Sequence, residues 1–373
     1  PDLDLRLRLV DGALLPVRII LGFREPGATA PGSPVTRRSF TTDDGDDWAA
    51  ALRVARVSAT LEAELGNHLA QCHLNVEQYA IAAHRNLRRS PLRWLLQPHL
   101  REVVLINHSA DDFLIGPEGY VTRASGLTRA GMGERLVQLL GSYDWADFEP
   151  APAICEGHRQ AHAARLFWDL LGEHVDAFLA EHAAAIEADW IEVRRFSDEL
   201  VDHSAPAFVC RWLRANAQGG RAPWFEGSER PDLERPGPSL SAITTSDSPA
   251  EGDLERLGQL CRYVIFFATF RHTWANDRQW EDGGEVRYAC LGLRWGPDGV
   301  LVPEDDDRVA PTPKETTEML WISWMLSKTG YGYLLSNEEE DVHPRLPAML
   351  KARAADFAAL GLDIERIHSR INI

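Results

Sequence analysis

The chain has 373 residues, of which 45% are apolar and 12 are Trp, enough to bury one large core or two modest ones. This composition excludes disorder as the main state, because so apolar a chain offsets its folding entropy. With 39 Lys and Arg against 56 Asp and Glu the net charge is −17, which excludes the basic footprint that non-specific nucleic-acid binding needs.

Residues 1–24 read as two short strands. Leu3, Leu5, Leu7 and Leu9 alternate with charge, Asp11-Gly12 supplies a turn, and the stretch after Leu14 is apolar. This start does not read as a signal peptide. Residues 25–47 are rich in Gly, Pro, Thr and Asp and read as loop. From Asp47 the apolar residues Trp48, Ala51, Leu52, Ala55, Leu61 and Leu65 recur at three- and four-residue steps, which predicts a long helix through His84. A second helix is expected from Pro91 to about Leu105, and residues 107–135 are mixed.

Residues 158–202 read as helical, with Phe167, Leu170, Leu171, Val175 and Phe178 on one face. Residues 215–252 read as a polar, mobile loop within the domain. Leu254 to about Asn276 reads as a strongly apolar helix, and two more are expected near 314–328 and 344–360. The fold class expected is mainly α, one domain over 1–373, with a small β element at its start. No run of 18 apolar residues is present to span a membrane. The five cysteines are odd in number and none is spaced as CxxC, which fits free thiols in a cytoplasmic protein.

Four features carry metal-binding residue types. His68 and His73 are five apart, which puts their rings roughly 140° apart on an ideal helix, so they share a ligand only across a π-bulge. Otherwise they are two histidines lining a core. His272 and Asn276, four apart, fall on one face of the most apolar helix, as ligands or as a hydrogen-bonded structural pair. His158 and His162 also share a face, but no Glu lies between them as in HExxH, and a solvated helix start is the plainer reading. Glu304 to Asp307 lacks the alternating ligands and central Gly of an EF-hand loop and reads as solvated. No GxSxG, Walker A or GxGxxG motif occurs in a suitable setting.

With its context the first pair is more specific. After His68-x4-His73 come Glu77, Arg85, Ser90-Pro91, Leu95-Leu96-Gln-Pro98-His99 and Ile106-Asn107. This run resembles the central motif of the lipoxygenases, in step without a gap, with Ser90 where that family has His. Three other places agree: the helix from Trp48 to Leu65, Leu166-Phe167-Trp168-Asp169 with Glu192-Val193, and His272-x3-Asn276 followed by Gln279. The chain ends in Ile373, as that family's does.

The resemblance implies a lipoxygenase-like helical catalytic domain and one non-haem iron cycling between ferrous and ferric. Its ligands would be His68, His73, His272, Asn276 and the terminal carboxylate of Ile373. Glu64 and Gln279 would support them from outside, and Ala110, Leu114 and Leu105 would line a substrate pocket. The implied reaction removes a hydrogen atom from a bis-allylic CH2 of a polyunsaturated substrate and adds O2 to give a hydroperoxide. Alternatives are hydroperoxide isomerisation, oxidation of a non-lipid scaffold, a non-enzymatic binding remnant and a zinc hydrolase built on His158 and His162.

Compared with the family, the chain is expected to lack the N-terminal β-sandwich and the early helices of the catalytic domain, and Asp111-Asp112 stand where an Arg is usual. A polyene intermediate or a carrier-bound acyl chain is therefore expected beside free fatty acids as substrate. Apolar surface left uncovered would suit a homo-oligomer.

Overall fold

The structure is a computed structural model describing residues 2–24, 35–110, 114–116, 119, 121, 129–151, 157–204, 241–276, 312–327, 332–336 and 341–371. It opens with the antiparallel pair β1 (Asp2–Val10) and β2 (Ala13–Arg24), joined through Asp11 and Gly12, both at positive φ. That is the backbone a two-residue hairpin turn demands. A third strand, β3 (Val35–Phe40), pairs with β2 inside the segment expected to be loop. Val35–Phe40 lacks a clean apolar alternation; pairing with β2 and burial of Phe40 hold it instead. Ile19 and Leu21 of β2, with Phe40, pack on Ala51, Val54 and Ala55 of α1 (Asp46–Leu61).

The chain then continues without a break from α1 into a π-helical segment, Glu62–Leu74, and on into α2 (Asn75–Asn86). The expected second helix divides into α3 (Leu92–Leu100) and α4 (Val103–Ala110), separated at Glu102, whose φ is positive. α5 (Arg129–Ser142) packs on the outer side of the π segment, where Met132 meets Leu65 and Leu69. Three helices follow with hardly a gap: α6 (Arg159–Glu181), α7 (Ala183–Ala188) and α8 (Trp190–His203). α9 (Asp253–Phe266) leads into a second π segment, Phe267–Arg271, and α10 (His272–Asn276). α11 (Pro313–Ser327), α12 (Arg345–Ala352) and α13 (Ala354–Ala359) complete the described helices.

The main core lies between α2, α3, α6, α8 and α9. Its centre is aromatic: Phe167 stacks on Phe270 at 4.9 Å, and Phe266 and Phe357 complete the cluster. Aromatic pairs at such distances add about 0.5–1.5 kcal/mol each beyond the area they bury. Part of the expected mobile loop, 241–252, is anchored instead. Ile243 and Thr244 are buried, and the Ser197 hydroxyl accepts both of their N–H groups. The preceding part, 215–240, lies outside the described residues.

One buried carboxylate fixes the turn between α2 and α3. Glu192 of α8 accepts the backbone N–H groups of Arg88, Arg89 and Ser90 on a single oxygen, at 2.8, 2.9 and 3.1 Å. Burial alone would raise its pKa, but these N–H groups and the Arg89 guanidinium outweigh burial and the net shift is downward. A lowered folded pKa means that the stabilisation is complete above the unfolded glutamate value, about 4.3, and is lost as pH falls through the folded value. Glu192→Gln should therefore cost roughly 1–3 kcal/mol at neutral pH, as for hydrogen bonds to a charged group. Urea unfolding from pH 7 to pH 3 should show the two proteins converging as the medium becomes acid. A constant difference across that range would show that the charge is not what matters.

Candidate metal centre

The two π segments come together side by side, and each delivers histidine to the same point. A π-helix aligns i with i+5, so the Glu62–Leu74 segment turns His68 and His73 to one side. His272 enters from the end of the Phe267–Arg271 segment. All three are buried, and one nitrogen from each lies within 4.8 Å of the other two. Their ring centroids are 4.8, 5.3 and 5.2 Å apart.

Hydrogen bonding settles which nitrogen faces inward. The carbonyl oxygen Oδ1 of Asn107 can only accept, so His73 Nδ1, 2.9 Å away, donates to it. His73 Nε2 is thereby turned inward, and it faces His68 Nε2 at 3.1 Å, a hydrogen-bond distance. His68 Nδ1 lies 3.4 Å from Glu64 Oε2, a carboxylate that accepts. His272 Nδ1 lies 3.2 Å from Nδ1 of His368. Each Nδ1 thus has a partner behind it: Glu64, Asn107 or His368. Burial first, then the charges of His68 and Arg366, pushes the His368 pKa down to about 3, so that ring is neutral.

These outer partners are themselves fixed. The Asn107 amide also donates to the His73 carbonyl and to Glu77 Oε2, at 2.9 and 3.1 Å. Burial raises the Glu77 pKa, partly offset by that bond. The His368 backbone N–H donates to Thr273 Oγ1, and His99 Nδ1 donates to the Ser369 carbonyl, both at 2.7 Å. Arg271 joins the two π segments, reaching Asn67 Oδ1 at 2.7 Å and Gln71 Oε1 at 3.1 Å.

The donor set fits a borderline-to-hard cation such as iron. Three buried imidazoles offer nitrogen donors at one point, and Nε2 of His68 and of His73 lie 3.1 Å apart. Asn276, on the turn after His272, is 3% exposed, and both of its amide atoms are buried without a hydrogen-bond partner among the described residues. Such orphaned atoms cost about 1–3 kcal/mol each, and ligation through Oδ1 would remove the cost of the oxygen. The neighbouring Cys72 is kept a thiol, pushed up to about 12 by burial against a lowering effect of Arg271, and offers no soft thiolate.

The remaining expected residues are placed as follows. Ala110 is buried and Leu114 half-buried, but Leu105 is 70% exposed, an outward position for a pocket lining. Gln279, Ile373 and Glu304 to Asp307 lie outside the described residues. His158 is the N-cap of α6, its Nδ1 accepting from the Ala161 N–H, and no third ligand joins His158 and His162 among the described residues. Asn107 stood in a recognisable Ile-Asn motif whose role only the fold reveals. Arg271 and His368 carried no signal in spacing or composition.

Comparison with known proteins agrees with this geometry. The family model described as Lipoxygenase matches residues 8–132. Linolenate 9R-lipoxygenase of Nostoc sp. is 29% identical over 250 residues, covering 66% of this chain and 28% of that protein. Hydroperoxide isomerase ALOXE3 of Rattus norvegicus is 32% identical over 324 residues, covering 85% of this chain and 41% of that protein. The crystal structure of a 9R-lipoxygenase from Cyanothece PCC8801 superposes with a TM-score of 0.85 at 38% identity, over 100% of this chain and 56% of that one. The chain thus spans between 28% and 56% of the length of these three.

Asn107→Ala removes the acceptor that orients His73. It should lower apparent Fe2+ affinity by about 10–100-fold, the usual cost of losing such a support. Equilibrium dialysis against ferrous iron, with circular dichroism to confirm the fold, measures this. Unchanged affinity would assign Asn107 to packing alone.

Proposed function

Because the chain is a homologue of the lipoxygenases, we propose that it is a non-haem iron oxidoreductase of lipoxygenase type, acting on a polyunsaturated substrate with O2 as co-substrate. The observation that carries this reading is the convergence of three buried imidazoles, with Nε2 of His68 and of His73 facing each other, one turn from an Asn276 amide unsatisfied among the described residues. His68, His73, His272, Asn276 and the terminal carboxylate of Ile373 would hold one iron. When bound, iron supplies the one-electron chemistry that takes a hydrogen atom from a CH2 flanked by two alkenes.

The protein's own part is placement. Glu64, Asn107 and His368 hold the three rings by their Nδ1 atoms, so the ligand nitrogens do not wander. Arg271 keeps the two ligand-bearing segments in register. Ala110 and Leu114 are the apolar side chains assigned to the reacting region, where the work is to present a single CH2 and leave O2 a path. Residues 1–373 would act as one catalytic unit, on a free, polyene or carrier-bound acyl chain.

A second reading keeps the iron and changes the outcome to hydroperoxide isomerisation. The 32% identity to the rat hydroperoxide isomerase favours it. Product mass spectrometry separates the two, since an isomerase consumes hydroperoxide without taking up O2.

The purified protein should hold one iron per chain, take up O2 with a polyunsaturated fatty acid or its thioester, and develop conjugated-diene absorbance. His73→Ala should abolish both iron and uptake. Natively folded protein that neither retains added iron nor turns over any diene or hydroperoxide contradicts the reading. One residue added after Ile373 should lower iron content and activity together; if both survive intact, the carboxylate is not a ligand.

A further inference from the structure

Away from this centre, the C-terminal end of α6 meets the start of α12. Glu181 ends α6, His182 follows as its C-cap, and His343 stands two residues before α12. One donor atom from each of these three lies within 4.8 Å of the other two. The side chains are held from behind. The Phe178 ring lies 4.4 Å from the His182 ring and 5.4 Å from the His343 ring, and Trp94 meets His182 edge-on at 6.1 Å. Arg345 Nη2 donates to Glu181 Oε2 at 2.5 Å and keeps that carboxyl ionised. The carboxylate has a second oxygen to offer.

His174, two turns before Glu181 on α6, adds an independent observation. It is 1% exposed, its ring lies 5.5 Å from that of His343, and its Nδ1 is buried without a hydrogen-bond partner among the described residues. The ring beside His343 therefore carries a buried polar atom in want of a partner among the described residues.

We propose that Glu181, His182 and His343 form a second metal site, for a divalent transition cation such as Zn2+, with open positions left to water. Two imidazoles and one carboxylate are a zinc-type set. A single carboxylate offers too few oxygens for Ca2+, which takes six or more. Because Phe178 already backs both rings, little ordering is left to oppose binding. The cation would staple the end of α6 to the start of α12. It would thus steady the segment that continues to His368 and Ser369, and would stabilise the fold by mass action.

The test is Zn2+ titration by calorimetry, with Tm measured at saturation, on the full chain and on two double variants. H182A/H343A should bind one ion fewer per chain than wild type and lose most of the Zn2+-induced rise in Tm. H68A/H73A should keep that ion. In H68A/H73A protein, Cu2+ should give an electron paramagnetic resonance spectrum split by two imidazole nitrogens, and adding His182→Ala should remove one of them. Equal Zn2+ stoichiometry and an equal Tm rise in wild type and H182A/H343A overturn the proposal, and this comparison decides even if H68A/H73A does not fold. Because this site shares no residue with the three-histidine centre, either can fail without the other.

Discussion

Three buried imidazoles converge inside the protein, the Nε2 atoms of His68 and His73 facing one another at 3.1 Å, and this contact sets the terms for everything around it. Nitrogens so close are unfavourable unless a proton or a cation lies between them. The Asn107 carbonyl accepts from Nδ1 of His73, which turns Nε2 of that ring inward. His272 supplies a third nitrogen, and Asn276 follows one turn later on the same helix, its amide unsatisfied among the described residues. The scaffold thus gathers donor groups at one point, which is how a protein favours a cation.

Holding that arrangement takes most of the fold. A regular α-helix would point His68 and His73 to different sides, and the thirteen-residue π segment removes that angle. The second π segment does the same service for the helix bearing His272. π-Helical backbone is rare and of poor intrinsic stability, so packing must over-determine it. Met132 packs on one side of the first segment and Arg271 bonds it from the other. Below lies the aromatic cluster around Phe167, Phe266 and Phe270. The C-terminal segment joins through the bonds of His368 and Ser369 to Thr273 and His99.

Much of this was legible in the sequence, because it depends on local spacing. The Asp11-Gly12 turn, the periodic helices and the i, i+4 relation of His272 and Asn276 are short-range signals. The i, i+5 spacing of His68 and His73 already required a departure from α-helix if the two were to act together. Long-range relations were not legible. Glu192 reaches the turn at 88–90 across more than a hundred residues of chain; the family resemblance marked Glu192-Val193 and Ser90-Pro91 separately, but not that the one holds the other. His368 meets His272 only because the C-terminal segment folds back against α10. Strand β3 was missed because its stability comes from its neighbour rather than from its own composition. Leu105 was assigned inward by motif position, yet it faces out from α4.

The central claim is that the three imidazoles form an iron centre. Anomalous X-ray diffraction from crystals of the iron-loaded protein, recorded on either side of the iron absorption edge, tests it most directly. The account predicts an iron peak between His68, His73 and His272, within bonding distance of a nitrogen of each. Crystals of protein that consumes oxygen but shows no iron peak at that position would contradict it.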